Sequence, residues 1–384
     1  MKIRFPTIAR RGLRHQLNGF TLVEMMVALV IGLLLMAAVS QVYLANKATF
    51  TTQDQTSQVM EAGNLAMGFI TKDLRMATFS GCGSRVAQPG DVIFDGGIAD
   101  PKSDADGGIS SPYNVSEGGI IGANADGTSF DGSSGSTYTL SATNPSNGGS
   151  FTPALTGYTG VSTVPGSDVV KIVNLTDGRR VQFDAADKTN PVFQVDGTGI
   201  IHKDDVLVIA DCSRAVVFKV SGVTESGGKT KVSGLTDRTG GKGTFQGQNL
   251  SEYGTQVYSL RTYVYSVMAG SDGTPSLVRA SLGQGYPAGS GTPEELVAGV
   301  ESLQATYAEG PDDNVTTFVS ADNVVDWSEV RAVRLSMLMR TPDEVRPDKD
   351  TTTYVVGGTT IDPVDDRRQR QIFSTTVALR DRLR

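Results

Sequence analysis

From Phe20 to Ala45 the only strongly polar side chains are Thr21, Glu24, Ser40 and Gln41. As a helix this stretch rises about 39 Å, enough to cross a hydrocarbon core of about 30 Å. Lys2, Arg4, Arg10, Arg11 and Arg14 precede it, and no acidic residue does. The positive-inside bias predicts that residues 1–19 stay in the cytoplasm and the remainder is exported. One ionisable side chain, Glu24, interrupts the apolar run. An acidic side chain at a helix centre costs roughly 3 kcal/mol on insertion scales, and less near the end. A lone carboxylate here implies a job. The simplest one is to complement the positive end of the helix dipole, worth about 0.3–1 kcal/mol.

A second job follows if the chain is cut after Gly19. Phe20 then carries a free α-amine, a cation made by proteolysis four residues from an anion. Among side-by-side helices, one subunit's amine can meet its neighbour's carboxylate. In lipid each charge offsets the cost of the other. That pairing would set a staggered register, because it is specific where apolar stripes are not.

Gly19-Phe20-Thr21-Leu22-Val23-Glu24 behind a basic leader and before an apolar helix resembles the type III signal of type IV pilins and type II secretion pseudopilins. The resemblance implies cleavage between Gly19 and Phe20 by a membrane prepilin peptidase, and methylation of the Phe20 amine by the same enzyme. The chain would be that peptidase's substrate. The rival reading is an ordinary secretory signal cut near Ala38-Val39-Ser40. Against it, the apolar region exceeds the usual length and contains Glu24.

Removing residues 1–19 takes a formal charge of −7 to about −12 before the new amine is counted. An exported domain this acidic is a poor non-specific binder of nucleic acid. Abundant glycine and sparse aromatics suit a loop-rich β protein. Cys82 and Cys212 both fall outside the membrane, where disulfides persist. Joined, they would constrain the unfolded chain by about 4–5 kcal/mol; the other reading is two unrelated buried thiols. With His15 lost alongside the leader, His202 alone cannot build a His-rich zinc site. It is expected at a strand edge or turn. No cofactor or metal is expected.

The chain is expected to fall into five parts: a leader (1–19), the membrane half of a helix (20–45), its amphipathic half (46–78), a loop-rich region (79–165) and a β-rich globular domain (166–384). In the third part Val59, Ala62, Ala66, Ile70, Leu74 and Ala77 make one apolar stripe on helical spacing. Gln53, Asp54, Lys72, Asp73 and Arg75 supply the polar faces. The fourth part, rich in Gly, Ser, Asp and Asn, reads as surface loops with short strands such as Tyr138–Leu140. In the fifth, strands are predicted at Asp168–Val173, Asp205–Ala210, Ala215–Val220, Lys229–Val232, Gln256–Met268, Leu277–Leu282, Val330–Arg340 and Gln371–Leu379. Pro293–Val300 reads as a short helix leading into a strand at Leu303–Tyr307. Antiparallel pairing is expected throughout. The fold class is therefore α+β, with one long N-terminal helix packed on antiparallel sheets with long Gly/Ser/Asp-rich loops.

A cysteine after the helix, a second in Val206–Cys212, the strand Val330–Leu335 and the ending Arg370–Arg380 are similar to the PilW group of minor pilins. The Val330 strand also fits the related J-type pseudopilins. The resemblance implies a pilin-like fold, a Cys82–Cys212 tie between helix exit and sheet, and a structural rather than enzymatic role. It also implies residence in the inner membrane with the C-terminal domain in the periplasm, then in the pilus tip. Its partners would be other minor pilins, the major pilin and a large tip adhesin. Twitching motility, adhesion and DNA uptake would belong to the whole machine. A secretion-system pseudopilin and a DNA-uptake competence pilin are the alternatives.

Two motifs are decoys. Gly222–Thr230 imitates a Walker A loop, but Gly222 is one residue too far from Gly228-Lys229, and a strand follows where a P-loop needs a helix. Asp100, Asp104 and Asp106, or Asn124 and Asp126, lack the spacing and closing glutamate of a calcium loop.

Overall fold

The computed structural model describes residues 19–77, 92–94, 98, 119–128, 137–142, 144–154, 163–183, 192–210, 215–235, 254–282, 293–310 and 317–379. The chain divides into two units, Met1–Gln53 and Asp54–Arg384. One helix, α1 (Leu22–Met76), belongs to both. In the first unit every described residue from Gly19 to Thr51 is exposed.

The second unit is built on four sheets. The largest has nine strands, in the order β1 (Val92–Phe94), β9 (Ala215–Lys219), β8 (Val206–Ala210), β12 (Gln256–Ala269), β5 (Val169–Arg180), β2 (Ile120–Ala125) and β4 (Phe151–Thr152). β13 (Pro275–Leu282) pairs with β12, and β14 (Pro293–Ala298) pairs with β13. A four-stranded sheet orders β10 (Gly222–Ser226), β11 (Lys229–Ser233), β7 (Phe193–Asp196) and β6 (Gln182–Phe183). Another orders β16 (Val319–Ser320), β15 (Val300–Glu309), β17 (Val330–Arg340) and β20 (Arg370–Ala378). The smallest joins β18 (Tyr354–Val356), β19 (Thr359–Asp362) and β3 (Thr137–Thr139). Pairing is antiparallel except for β1 with β9 and β19 with β3. The fold class is α+β, as expected.

The main core lies where α1 meets the sheets. Val59, Ala66, Ile70 and Leu74 pack with Tyr265, Leu303, Leu335 and Met337. Burying an Ile or Leu side chain contributes about 1.5–3 kcal/mol, so this stripe holds the helix to its seat. Gly63 is required there: the ring of Phe373 occupies the space a Cβ would need. Tyr307 and Trp327 meet edge-to-face, with centroids 4.8 Å apart.

Several expectations need correction. Pro293–Ala298 is a strand, not a helix. Its Glu-Glu-Leu-Val-Ala run favours helix, but pairing with β13 and the Arg279–Glu294 bridge at 2.9 Å override local propensity. Proline is tolerated because it opens an edge strand. Ile120–Ala125, expected among surface loops, is a fully buried strand beside β5. Its glycine and alanines gave no alternation to read; Gly122 is needed because the Tyr307 ring fills the space of a Cβ. β5 runs on to Arg180, through Asp177 at φ 57, because β12 takes up the irregularity between Val257 and Ser259. Gly222–Ser233, by contrast, is the hairpin expected of a stretch that fails as a Walker A loop, turning at Gly227-Gly228, both at positive φ. The expected short strand Tyr138–Leu140 is β3, displaced by one residue.

Candidate assembly site

Two stretches of α1 carry the chemistry, and each holds a carboxylate. At the start, Thr21 is the N-cap. Its backbone N–H donates to Glu24 Oε2 at 2.9 Å, its hydroxyl donates to the same oxygen at 3.0 Å, and the Glu24 N–H donates back to Thr21 Oγ1 at 3.2 Å. This is a reciprocal capping box, which satisfies two donors left over at a helix start. The sequence carried the signal as Thr-x-x-Glu, and the dipole reading of Glu24 alone missed it. Only Oε2 is engaged in these bonds. Gly19 and Phe20 stand immediately before the cap, both exposed, with no heavy atom within 4 Å of a Cβ built on Gly19. α1 is the one helix among the described residues long and apolar enough to cross a membrane.

At the other end of α1, Asp73 is buried, although the sequence placed it on a polar face. Tyr265 donates its hydroxyl to Asp73 Oδ2 at 2.5 Å, from β12. Burial raises the Asp73 carboxyl above its usual range, while the Tyr265 bond and the charges of Arg279 and Lys72 pull the other way. Gln55 anchors the middle of the helix, its side chain donating to Asp343 Oδ2 at 3.2 Å and accepting from the Asp343 N–H at 3.3 Å. Thr56 donates to Gln369 Oε1 at 3.2 Å. The helix is therefore tied both to β12 and to the segment leading into β20.

Two further polar clusters support this seat. Asp168 Oδ1 accepts from the Ala125 N–H at 2.8 Å, and its Oδ2 accepts from the Ala305 N–H at 2.9 Å, so one carboxylate joins β2 to β15. Burial pushes its pKa up to about 7, against the two N–H bonds and with help from Asp322. Arg370, buried at the start of β20, contacts Glu301 at 2.7 Å, Asp366 at 2.8 Å and Asp350 at 3.4 Å. Burial works against its charge, but the Glu301 and Asp366 carboxylates outweigh that and hold it firmly protonated. Neither cluster was legible, because the partners lie far apart in sequence.

Cys82 and Cys212 lie outside the described residues, as do Asp100, Asp104 and Asp106. Asn124 and Asp126 are engaged locally: Asn124 donates to the Thr128 carbonyl at 2.7 Å, and Asp126 accepts from the Thr152 hydroxyl at 3.2 Å. His202 lies in the turn before β8, its N–H donating to Asp205 Oδ2 at 2.8 Å. Among the described residues no group of three or more His, Cys, Asp or Glu is placed to hold a metal ion.

Residues 15–40 match the family model of the prokaryotic N-terminal methylation motif, and residues 264–381 match that of Type IV Pilus-assembly protein W. Together with the apolar helix they support a type IV pilin-like protein, of a structural rather than enzymatic kind, and suggest membrane anchoring. Within that class, the second match gives residues 264–381 a PilW-type domain. The second match runs from the middle of β12 past the end of β20, and so takes in most of the sheet that seats α1. Among solved structures, a type IV-like pilin from Thermus thermophilus is similar at 18% identity, covering 48% of this chain and 86% of that one, with a TM-score of 0.21. No curated protein matches the chain.

Proposed function

We propose that this chain is a minor pilin of a type IV pilus, a structural subunit that helps prime assembly or cap the fibre tip. The observation that carries the reading is the junction at Phe20–Glu24. A methylation motif there precedes an apolar helix that continues into a seat on a PilW domain. Pilin-type chains with this motif are processed by the prepilin peptidase and assemble with other pilins. In the proposed mechanism Gly19 lets the peptidase approach the scissile bond, and Phe20 supplies the methylated amine. Thr21 holds Glu24 Oε2 in the cap. The amine of a neighbouring subunit meets the same carboxylate, and the two charges compensate inside lipid. The globular domain lies in the periplasm before assembly and at the pilus tip afterwards. Other minor pilins, the major pilin and a tip adhesin are its partners, and Cys82 and Cys212 form a disulfide at the helix exit.

The test is mass spectrometry of the mature N-terminus from cells with active peptidase. The expected polypeptide begins at Phe20 and is one methyl group heavier than unmodified chain. A polypeptide beginning at Gln41, or uncut at Met1, overturns the reading. Co-purification with pilus rather than secretion-system components separates the minor pilin from a J-type pseudopilin.

A further inference from the structure

The two edges of the sheet under α1 are treated in opposite ways. The β15 edge is closed. Leu303 N–H donates to Ser167 Oγ at 3.0 Å, Ala305 N–H donates to Asp168 Oδ2 at 2.9 Å, and Asp168 N–H donates to the Leu303 carbonyl at 2.8 Å. β16 pairs with the next two residues. The β20 edge has no such cover among the described residues, since β20 pairs only with β17. Leu379 N–H donates to the Arg331 carbonyl, and Thr341 N–H donates to the Gln369 carbonyl. The odd-numbered residues of β20 therefore face β17. The alternation of an antiparallel ladder then turns the N–H and C=O groups of Ile372, Ser374, Thr376 and Ala378 outward.

Proteins blunt such edges with short strands, proline, charge or bulges. The other outer strands here follow that rule. β1, β3, β4, β6, β16 and β18 are two or three residues long. β14 opens with Pro293 and carries Glu294, Glu295 and a register shift. β10 is exposed along its second half and carries Glu225. β20 has nine residues in unbroken register, no proline, and no charge after its buried first residue. Its inner face is also unfinished. Phe373 is only partly buried beneath Gly63. Met60 lies on the same side of α1, in the stripe Thr56, Met60, Gly63, Met67, and is 48% exposed. One more strand beyond β20 would cover both.

We propose that the β20 edge accepts a strand from a different pilin-type subunit: an extended segment with apolar side chains at alternate positions, which turn inward against Phe373 and Met60. The inference rests on the minor-pilin reading. A second copy of this chain is disfavoured by geometry. Thr56 lies over Gln369 and Gly63 over Phe373, so β20 runs in the same direction as α1. Antiparallel pairing of two β20 edges would oppose their helices, and two chains anchored at the same end in one membrane cannot oppose them.

The test places the photo-cross-linker para-benzoylphenylalanine at Thr376 of the full-length chain in piliated cells, with a second, differently tagged copy present. The same substitution at Thr353, exposed in the loop before β18, is the control. The expected result is an adduct from Thr376 alone, mapped to an extended segment of another pilin-type subunit. Thr376→Pro deletes an outward N–H and no backbone bond to β17, losing only the long Arg334 Nε–Thr376 hydroxyl contact at 3.4 Å on that side, so it should cut pilus number by about tenfold or more, the scale of one lost hydrogen bond and a blocked edge. If that variant melts early, the adduct from the cross-linker chain decides alone. No adduct, an adduct to the tagged copy, or one to a partner's N-terminal helix overturns the proposal. A mature chain that begins at methylated Phe20 but gives no adduct overturns strand addition only; a chain that begins elsewhere overturns the minor-pilin reading itself.

Discussion

The stretch of α1 from Leu22 to Thr51 and the stretch from Gln55 to Leu74 belong to one helix but meet different surroundings. The first is wholly exposed and, as far as Ala45, apolar on nearly every side; the second buries eight residues along one face in its own domain. A helix that is apolar on every side needs lipid or other helices, whereas a one-sided stripe needs a single surface. The two carboxylates differ in the same way. Glu24 is held by a residue three positions away in its own first turn, and that bond needs nothing from the domain. Asp73 is held by Tyr265, 192 residues away, and that bond forms only when the domain has folded. The first half is thus free to be judged by assembly and the second by stability.

The largest expected effect lies in the first half. Glu24→Ala should leave cleavage after Gly19 intact and domain stability unchanged, while surface pili counted by electron microscopy become scarce. Normal pilus numbers would break the contrast. Next comes a matched pair. Leu74→Ala, at a fully buried site, should cost the globular domain about 2–5 kcal/mol in denaturant unfolding. Leu33→Ala, 61% exposed in the first half, should leave that unfolding curve where it was. Glycines sharpen the comparison within the second half. Gly63→Ala must push the Phe373 ring aside and should cost about 1–3 kcal/mol. Gly68→Ala meets no atom within 4 Å and should stabilise by about 1 kcal/mol through helix propensity. The smallest effect is a pH dependence. Burial raises the folded pKa of Asp73 above its unfolded value. Its contribution is therefore complete below the unfolded pKa and declines as pH rises through the folded one. Asp73→Asn should flatten the stability–pH curve across that window, as read by thermal melts; an unchanged slope would show that Asp73 does not titrate there.

The second half of α1 was legible because a 3.6-residue period survives in single-sequence form, as Val59, Ala66, Ile70 and Leu74 show, and the first because its apolar run is as long as a membrane is thick. β17 matched its expected ends, since Val333, Leu335, Met337 and Met339 face one side and the polar Arg334 and Ser336 the other. β14 was misread because strand identity there is conferred by a neighbour, not by its own residues. β2 went unseen because glycine and alanine next to Tyr307 leave no alternating pattern. Asp73 was assigned to solvent on residue type alone, and only Tyr265, which was not read as its partner, shows otherwise. The Phe20–Glu24 junction was readable because its chemistry is local in sequence. The Asp168 and Arg370 clusters were not, since each gathers groups from separate strands and loops.

Arg370 sits at the head of the last strand, and its counter-charges come from elsewhere: Glu301 on β15, and Asp350 and Asp366 on the excursion between β17 and β20. If β20 frayed from that end, three buried acids would face one another with their main shared cation gone, an arrangement far costlier than the strand's few ladder bonds. The C-terminal strand cannot peel away piecemeal. It stays zipped until the whole excursion gives way with it, so the margin of the domain is as cooperative as its centre.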